Sequence, residues 1–405
     1  MEEQRQNNTD EQQIGQDSAG NERCAEVLSC KKTDELEEAK RNFADRDVKE
    51  PKRKRAWLGN LFFVVVLAVT LVLVYQLSAN AAEGEQKTLK EIFGNMRTDY
   101  AVMAVGALFV MIFLDSMKYF VILHATSGKK YFGTSLKTSL LGKYYDNITP
   151  FASGGQPFQI HYLHKKGFSG GESTAVIFIK FCFNILIWLA ICLCLMVFNR
   201  GALDVYVAED TQRRLFVVLG WIGFAINCSI PVVIIAFAVF PKLMETLTRW
   251  FLALGYKLKI VKSRDAVVIK AKRIAKDFRA AFVIMIHKPL LAVGLALICV
   301  CEQFLSIMLP YLVVVAMAGA TIEPNVQLIF AIMTMNVYVS MSVTAVPTPG
   351  NSGALETAFS LVLTSVAEGV LFWTVFGWRF LSYYSFILIG LCIFIADFIR
   401  KKAKR

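Results

Sequence analysis

Long apolar stretches recur along this chain, and their length leaves few folds open. The run 57–79 begins at Trp57, directly after Lys52, Arg53, Lys54, Arg55 and Ala56. At 1.5 Å of rise per residue a helix of that run is about 35 Å long, enough to cross the hydrocarbon core of a bilayer. Comparable runs occupy 101–124, 173–198, 215–240, 289–318, 326–346 and 369–397, with a shorter one at 353–367. They are too long and too apolar for membrane strands, so each reads as a helix. The expected fold is an all-α, polytopic integral membrane helical bundle.

Charge placement sharpens this. Residues 1–56 hold 14 acids and 12 bases, which leaves 18 acids and 32 bases for the other residues. Only 19% of the chain is charged, against about 25% in soluble domains, which excludes an ordinary soluble enzyme. The nine Cys are scattered through apolar runs, as in Cys192/Cys194 and Cys299/Cys301. They read as apolar fillers rather than a disulfide scaffold. The bases flank apolar runs, as membrane topology requires, so their excess is not a nucleic-acid signal.

The domain reading follows. Residues 1–56 are expected to be a disordered cytoplasmic tail with a basic end. Residues 57–400 form the membrane domain. Within it, 241–288 carry 12 Lys+Arg and three acids and are expected to form a basic cytoplasmic or interfacial helix. Residues 401–405 are a basic C-terminal end. Basic clusters at both ends place both termini in the cytoplasm, which demands an even number of crossings; counting 353–367 gives eight. Run 57–79 lies too far along the chain for a signal peptide. Residues 125–143 carry Lys129, Lys130, Lys137 and Lys143 and no acid. With Leu136, Leu140, Leu141 and Tyr144 they suggest an amphipathic helix at the cytoplasmic interface.

Two stretches interrupt the spanning pattern. One runs Asn147-Ile148-Thr149-Pro150-Phe151-Ala152-Ser153-Gly154-Gly155-Gln156-Pro157. The other runs Val346-Pro347-Thr348-Pro349-Gly350-Asn351-Ser352-Gly353-Ala354-Leu355-Glu356. Both contain Thr-Pro-x-x-Ser-Gly. Pro removes a backbone donor and Gly permits turns, so each stretch breaks a helix. Broken backbone at membrane depth persists only where it is buried in protein or lines a cavity. Paired interruptions of this kind mark substrate sites in transporters; the alternative is a pair of ordinary interfacial loops. On the transporter reading, Thr149, Ser153, Gln156, Thr348, Ser352 and Glu356 supply hydrogen bonds to a headgroup. Gly154, Gly155, Gly350 and Gly353 let it approach the backbone.

Charged residues inside spans are the second signal. Asp115 and Lys118 are three apart on one helix face, where they can pair. Lys180 and Asn184 are four apart. Glu302 and Arg379 lie inside later spans. Each costs a few kcal/mol in lipid, so each should face the bundle interior. There they either form ion pairs that fix packing, or line a path in which the cations meet a lipid phosphate and the acids a cationic headgroup. His161 and His164 lack nearby acids or Cys and read as an interfacial helix end, not a zinc site. No catalytic residue, metal cluster or cofactor fingerprint is assigned, and no P-loop is present.

The residues from Tyr144-Tyr145-Asp146-Asn147 through Gly154-Gly155-Gln156-Pro157-Phe158-Gln159, and those from Pro347 to Glu356, resemble the two signature stretches of the lysylphosphatidylglycerol synthase transmembrane region family. This is the flippase-like membrane domain of the multiple peptide resistance factor. The resemblance covers about 57–400. It implies a phospholipid translocase acting on phosphatidylglycerol, lysyl-phosphatidylglycerol or another phospholipid, in a bacterial inner membrane, contributing to cationic antimicrobial peptide resistance. The chain stops at Arg405, where full-length relatives continue into a soluble transferase domain, so any synthase is expected to be a separate soluble partner. The competing reading is an enzyme, a phosphatidylglycerol lysyltransferase drawing on lysyl-tRNA held near 241–288, or a subunit of one. A third is a membrane scaffold whose basic segment binds anionic lipid.

Overall fold

The computed structural model describes residues 89–128, 130–207, 209–239, 288–367 and 369–403. The expected tail 1–56, the first expected span 57–79 and the basic segment up to residue 287 lie outside the described residues.

The described residues are helical apart from turns and one isolated β-bridge. In chain order the helices are α1 (Leu89–Asn95), α2 (Thr98–Ser127), α3 (Phe132–Ile148), α4 (Gly155–Lys165), α5 (Gly170–Phe198), α6 (Ala202–Tyr206) and α7 (Asp210–Val239). They continue with α8 (Pro289–Ala318), α9 (Val326–Ser342), α10 (Ala354–Leu363), α11 (Leu371–Arg379) and α12 (Ser385–Ala403). A π-helical segment, Phe380–Tyr384, joins α11 to α12.

Local chemistry sets the ends. α2 stops at Gly128, whose φ of 71° is left-handed and whose N–H bonds back to His124 O, as helix C-caps commonly do. Ser169 accepts from Glu172 N at 3.1 Å and caps α5, and Asn325 accepts from Leu328 N at 2.7 Å and caps α9. Pro289 sits at the start of α8, where its missing N–H costs nothing.

Four helical stretches are long and apolar enough to cross a membrane: Thr98–Ser127, Gly170–Phe198, Pro289–Thr321 and Leu371–Asp397. Val326–Ser342 and Ala354–Leu363 are shorter apolar helices. The expected runs from 101 onward each fall on a helix of this set or on α7. Large apolar side chains point outward, among them Phe109 and Phe113 on α2, Leu297 on α8 and Phe394 on α12. In water such a surface is a liability; against lipid it is the ordinary outer face of an all-α membrane bundle.

Inside, α8 and α9 pack with α10 and α11 around Val314, Tyr338, Phe359 and Trp378. A second core joins α2, α4, α5 and α8 through Tyr119, Ile122, Leu163, Ile179 and Leu295. α3 packs on α2, α4 and α12. Its buried face is not the Leu side but Ser135, Thr138, Ser139 and Gly142. Small residues at that spacing let neighbouring backbones come close, and they turn a polar helix inward.

Candidate functional site

The two interrupted stretches meet. Pro150 and Pro349 form an antiparallel bridge, which brings the loop between α3 and α4 against the loop between α9 and α10. Their turns share one pattern. Ala152 N donates to Thr149 O and Ser153 N to Pro150 O, both at 3.3 Å; Asn351 N donates to Thr348 O and Ser352 N to Pro349 O, both at 3.1 Å. The central residues have positive φ in each: Phe151 56° and Ala152 48°, Gly350 57° and Asn351 55°. Two successive positive φ values are the signature of a type I′ turn.

The second turn is held by charge. Glu356 Oε2 accepts from Gly353 N at 2.7 Å, and its Oε1 accepts from Arg379 Nε at 2.5 Å. Arg379 Nη2 also donates to Gly350 O at 3.1 Å and Ser352 Oγ at 3.2 Å. Thr348 Oγ1 donates to Ser352 O at 2.9 Å. Glu356, Ser352 and Arg379 are all buried. One guanidinium thus ties the turn carbonyl, the Ser hydroxyl and the acid at the start of α10 into a single clamp. A side chain at Gly350 would run into the Tyr383 ring, so its left-handed φ and the close approach both demand Gly.

Tyr383 straddles the two turns. Its hydroxyl proton faces two acceptors, Asn147 O at 2.9 Å and Pro349 O at 3.2 Å, and Asn147 Nδ2 donates back to Tyr383 O at 3.2 Å. Its ring lies 4.5 Å beneath the Arg379 guanidinium, a cation–π distance. Both residues border or occupy the π-helical segment, a backbone form that concentrates at functional sites.

The first turn leans on its own chain. Thr149 Oγ1 donates to Tyr145 O at 2.7 Å and accepts from Gly154 N at 2.9 Å. Ser153 Oγ donates to Pro150 O at 2.9 Å, and Asp146 Oδ1 accepts from Gly155 N at 2.8 Å. Gln156 is half-buried; Gln159 is buried and donates to Tyr119 OH at 2.7 Å and Thr138 O at 3.0 Å.

The remaining intramembrane charges converge on one network across α2, α3, α5 and α8. Asp115 Oδ1 lies 2.9 Å from Lys118 Nζ and 3.0 Å from Lys180 Nζ, and its Oδ2 accepts from Ser139 Oγ at 2.5 Å. Lys118 also reaches Glu302 Oε2 at 3.2 Å and Asn184 Oδ1 at 2.7 Å. Glu302 Oε1 meets Lys143 at 3.7 Å. Exposure grades the three lysines: the Lys118 side chain is fully buried, Lys180 is 15% exposed and Lys143 is 36% exposed. Lys118 is therefore spent on internal pairing, whereas Lys143 holds its acid loosely and opens outward. Lys180 also lies 5.1 Å over the Tyr119 ring.

The family profile described as the lysylphosphatidylglycerol synthase TM region matches residues 60–390, most of the chain. The chain belongs to that family. Comparison with curated proteins and with solved structures returns no match. Membership in the lysylphosphatidylglycerol synthase TM-region family, together with the apolar helices, makes this a multi-pass membrane protein of the lysylphosphatidylglycerol synthase and flippase context.

Within that family member, Asp115, Lys118, Lys180 and Glu302 come together, and Glu356 and Arg379 come together with Gly350, Ser352 and Gly353. Thr149, Ser153, Gly154 and Gly155 build the facing turn. Sequence reasoning passed over Lys143, which read as one of four topology-setting lysines, and Tyr383, one aromatic among many. Ser139 and Gln159 were also missed. The signal for Ser139 was the helical spacing of Ser135, Thr138, Ser139 and Gly142.

Proposed function

We propose that this chain is a phospholipid translocase of the flippase type. It moves an aminoacylated or other phospholipid between the leaflets of a bacterial inner membrane, with both termini cytoplasmic. The observation that carries the reading is the meeting of two interrupted helices beside a buried charge network inside an otherwise apolar bundle. Polar backbone and ionised side chains are costly in lipid and persist where they are buried in protein or line a polar path, and a passing headgroup would use such a path. Residues 57–400 act as the translocating domain. The turn residues Thr149, Ser153, Gly154, Gly155, Gln156, Thr348, Gly350, Ser352, Gly353 and Glu356 shape the headgroup passage. Lys143 and Lys180 offer the headgroup phosphate its cations. A separate soluble synthase supplies an aminoacylated lipid, and outward delivery of that lipid contributes to resistance to cationic antimicrobial peptides.

The test uses purified protein in liposomes of phosphatidylethanolamine and phosphatidylglycerol carrying a fluorescent phosphatidylglycerol. Faster loss of inner-leaflet fluorescence to an impermeant quencher, relative to protein-free liposomes, supports translocation; equal rates overturn it. The family's synthase description favours one rival, lysyl transfer to phosphatidylglycerol. Appearance of a new aminoacyl lipid when the chain alone is expressed in a host lacking such lipids supports that rival.

A further inference from the structure

The two turns are more alike than a shared six-residue motif requires. They make the same pair of hydrogen bonds, between the fourth residue and the first and between the fifth and the second. They hold positive φ at the same two positions, although three of those four residues are not Gly and pay for it in strain. Each enters a helix directly after its final Gly, α4 at Gly155 and α10 at Ala354, and each of these helix starts has a carboxylate on a backbone N–H. The contact between them is antiparallel and joins the second residue of one motif to the second residue of the other. An antiparallel contact between equivalent residues is what a local two-fold axis through that point produces.

The pair is unequal in how it is anchored. In the second turn, Gly350 O and Ser352 Oγ are bound by Arg379, and Ser352 is 4% exposed. In the first, the equivalent residues are Phe151 and Ser153. Phe151 is 58% exposed, Ser153 is exposed, and the Ser153 hydroxyl bonds only within its own turn. Among the described residues the first turn meets the clamped turn at the Pro150–Pro349 bridge and through Tyr383, by way of Asn147 at its base.

We infer that the two turns are a two-fold-related pair in which the second is the fixed member and the first the moving one, and that the Pro150–Pro349 contact is a closure that parts to admit a headgroup. The inference rests on the translocase reading for its passenger, but not for its motion. A strained, exposed turn facing a turn of the same hydrogen-bond pattern that is clamped by a buried guanidinium has one direction in which to give. Tyr383, sharing one proton between a carbonyl at each turn, is the contact that releases.

The experiment reads distance directly. With the nine native cysteines replaced, spin-label pairs are placed at Ala152 with Phe330 and at Asn351 with Phe330. Phe330 is an exposed position on α9, and the protein is held in nanodiscs of phosphatidylethanolamine and phosphatidylglycerol. The first pair is expected to show two distance populations and the second pair one. A single narrow population in both pairs, or equal splitting in both, overturns the inference. Ser153 with Phe330 repeats the first pair should labelling at Ala152 unfold the chain.

A second arm joins the turns covalently through Phe151→Cys with Thr348→Cys, positions flanking the bridge. Oxidation is expected to abolish lipid movement and reduction to restore it; undiminished movement in the oxidised protein overturns the closure. Split distances together with no lipid movement by the wild-type chain would leave the moving turn standing and remove the translocase reading.

Discussion

The ion pairs around Lys118 gather side chains from four helices, whereas those around Arg379 gather one short stretch, 350–356, onto a single guanidinium. The first arrangement ties distant parts of the chain together and ends in a lysine that faces outward. The second shapes a turn and ends nowhere. Buried charge serves two purposes in one bundle: the Lys118 region ties helices together and reaches the partly exposed Lys143, and the Arg379 region preserves a backbone conformation.

Substitutions should separate the two regions. Lys118→Met should have the largest effect. It leaves Asp115 with Lys180 and Glu302 with the distant Lys143, and breaking a buried pair on one side costs about 3–5 kcal/mol. Loss of monodisperse protein in detergent is the readout; wild-type thermal stability would remove Lys118 from its structural role. Arg379→Gln should cost somewhat less, about 3 kcal/mol, because the orphaned Glu356 keeps its bond from Gly353 N. Adding Glu356→Gln should recover part of that loss, a coupling that a double-mutant cycle measures. If the two losses simply add, Arg379 is not acting through Glu356.

Gly350→Ala should cost about 1–3 kcal/mol, from the left-handed backbone and the Tyr383 ring together. Ala152, at the same turn position as Asn351, already tolerates a side chain at positive φ. Ala152→Gly should therefore leave the melting temperature unchanged or raise it. Tyr383→Phe should cost about 1 kcal/mol for a hydrogen bond shared between two carbonyls, with a larger effect on turn-to-turn distance than on melting. Lys143→Gln should alter stability least of all. Its signature is weaker retention of phosphatidylglycerol in detergent, restored by Lys143→Arg; full retention by the Gln variant would take Lys143 out of the headgroup path.

From residue 101 onward the apolar runs were legible as helices because an apolar run of bilayer length has one stable solution, and helix ends fell close to the run ends. The breaks were legible because Pro and Gly act on the backbone locally, whatever surrounds them. What packs against what was not. A membrane helix is apolar on all sides, so α2 carries no amphipathic stripe, and only Asp115 and Lys118 marked its inward face. The bridge between Pro150 and Pro349 depends on contacts far apart in the chain, which no local pattern encodes. Lys143 was hidden by a correct rule: lysines near span ends set topology, and that reading leaves no reason to single out the one that turns toward Glu302. Leu136, Leu140 and Leu141 drew attention to the wrong side of α3, because in lipid the small polar face is the one that packs.

The π-helical segment has a consequence for register. A π turn accommodates one residue more than the α-helical turn it replaces, and one residue is about 100° of rotation around a helix. On an unbroken α-helix, α12 would continue in phase with α11 behind the Arg379–Tyr383 contact. The extra residue offsets the two segments, so α11 presents Arg379 to the second turn while α12 presents a different azimuth to α3, where Gly390 comes against Tyr144. Deleting a single residue from 380–384 would bring the two segments back into phase. It would leave the other apolar runs untouched, yet it would turn α12 by about 100° relative to α11 and uncouple the clamp from the helix that carries the first turn.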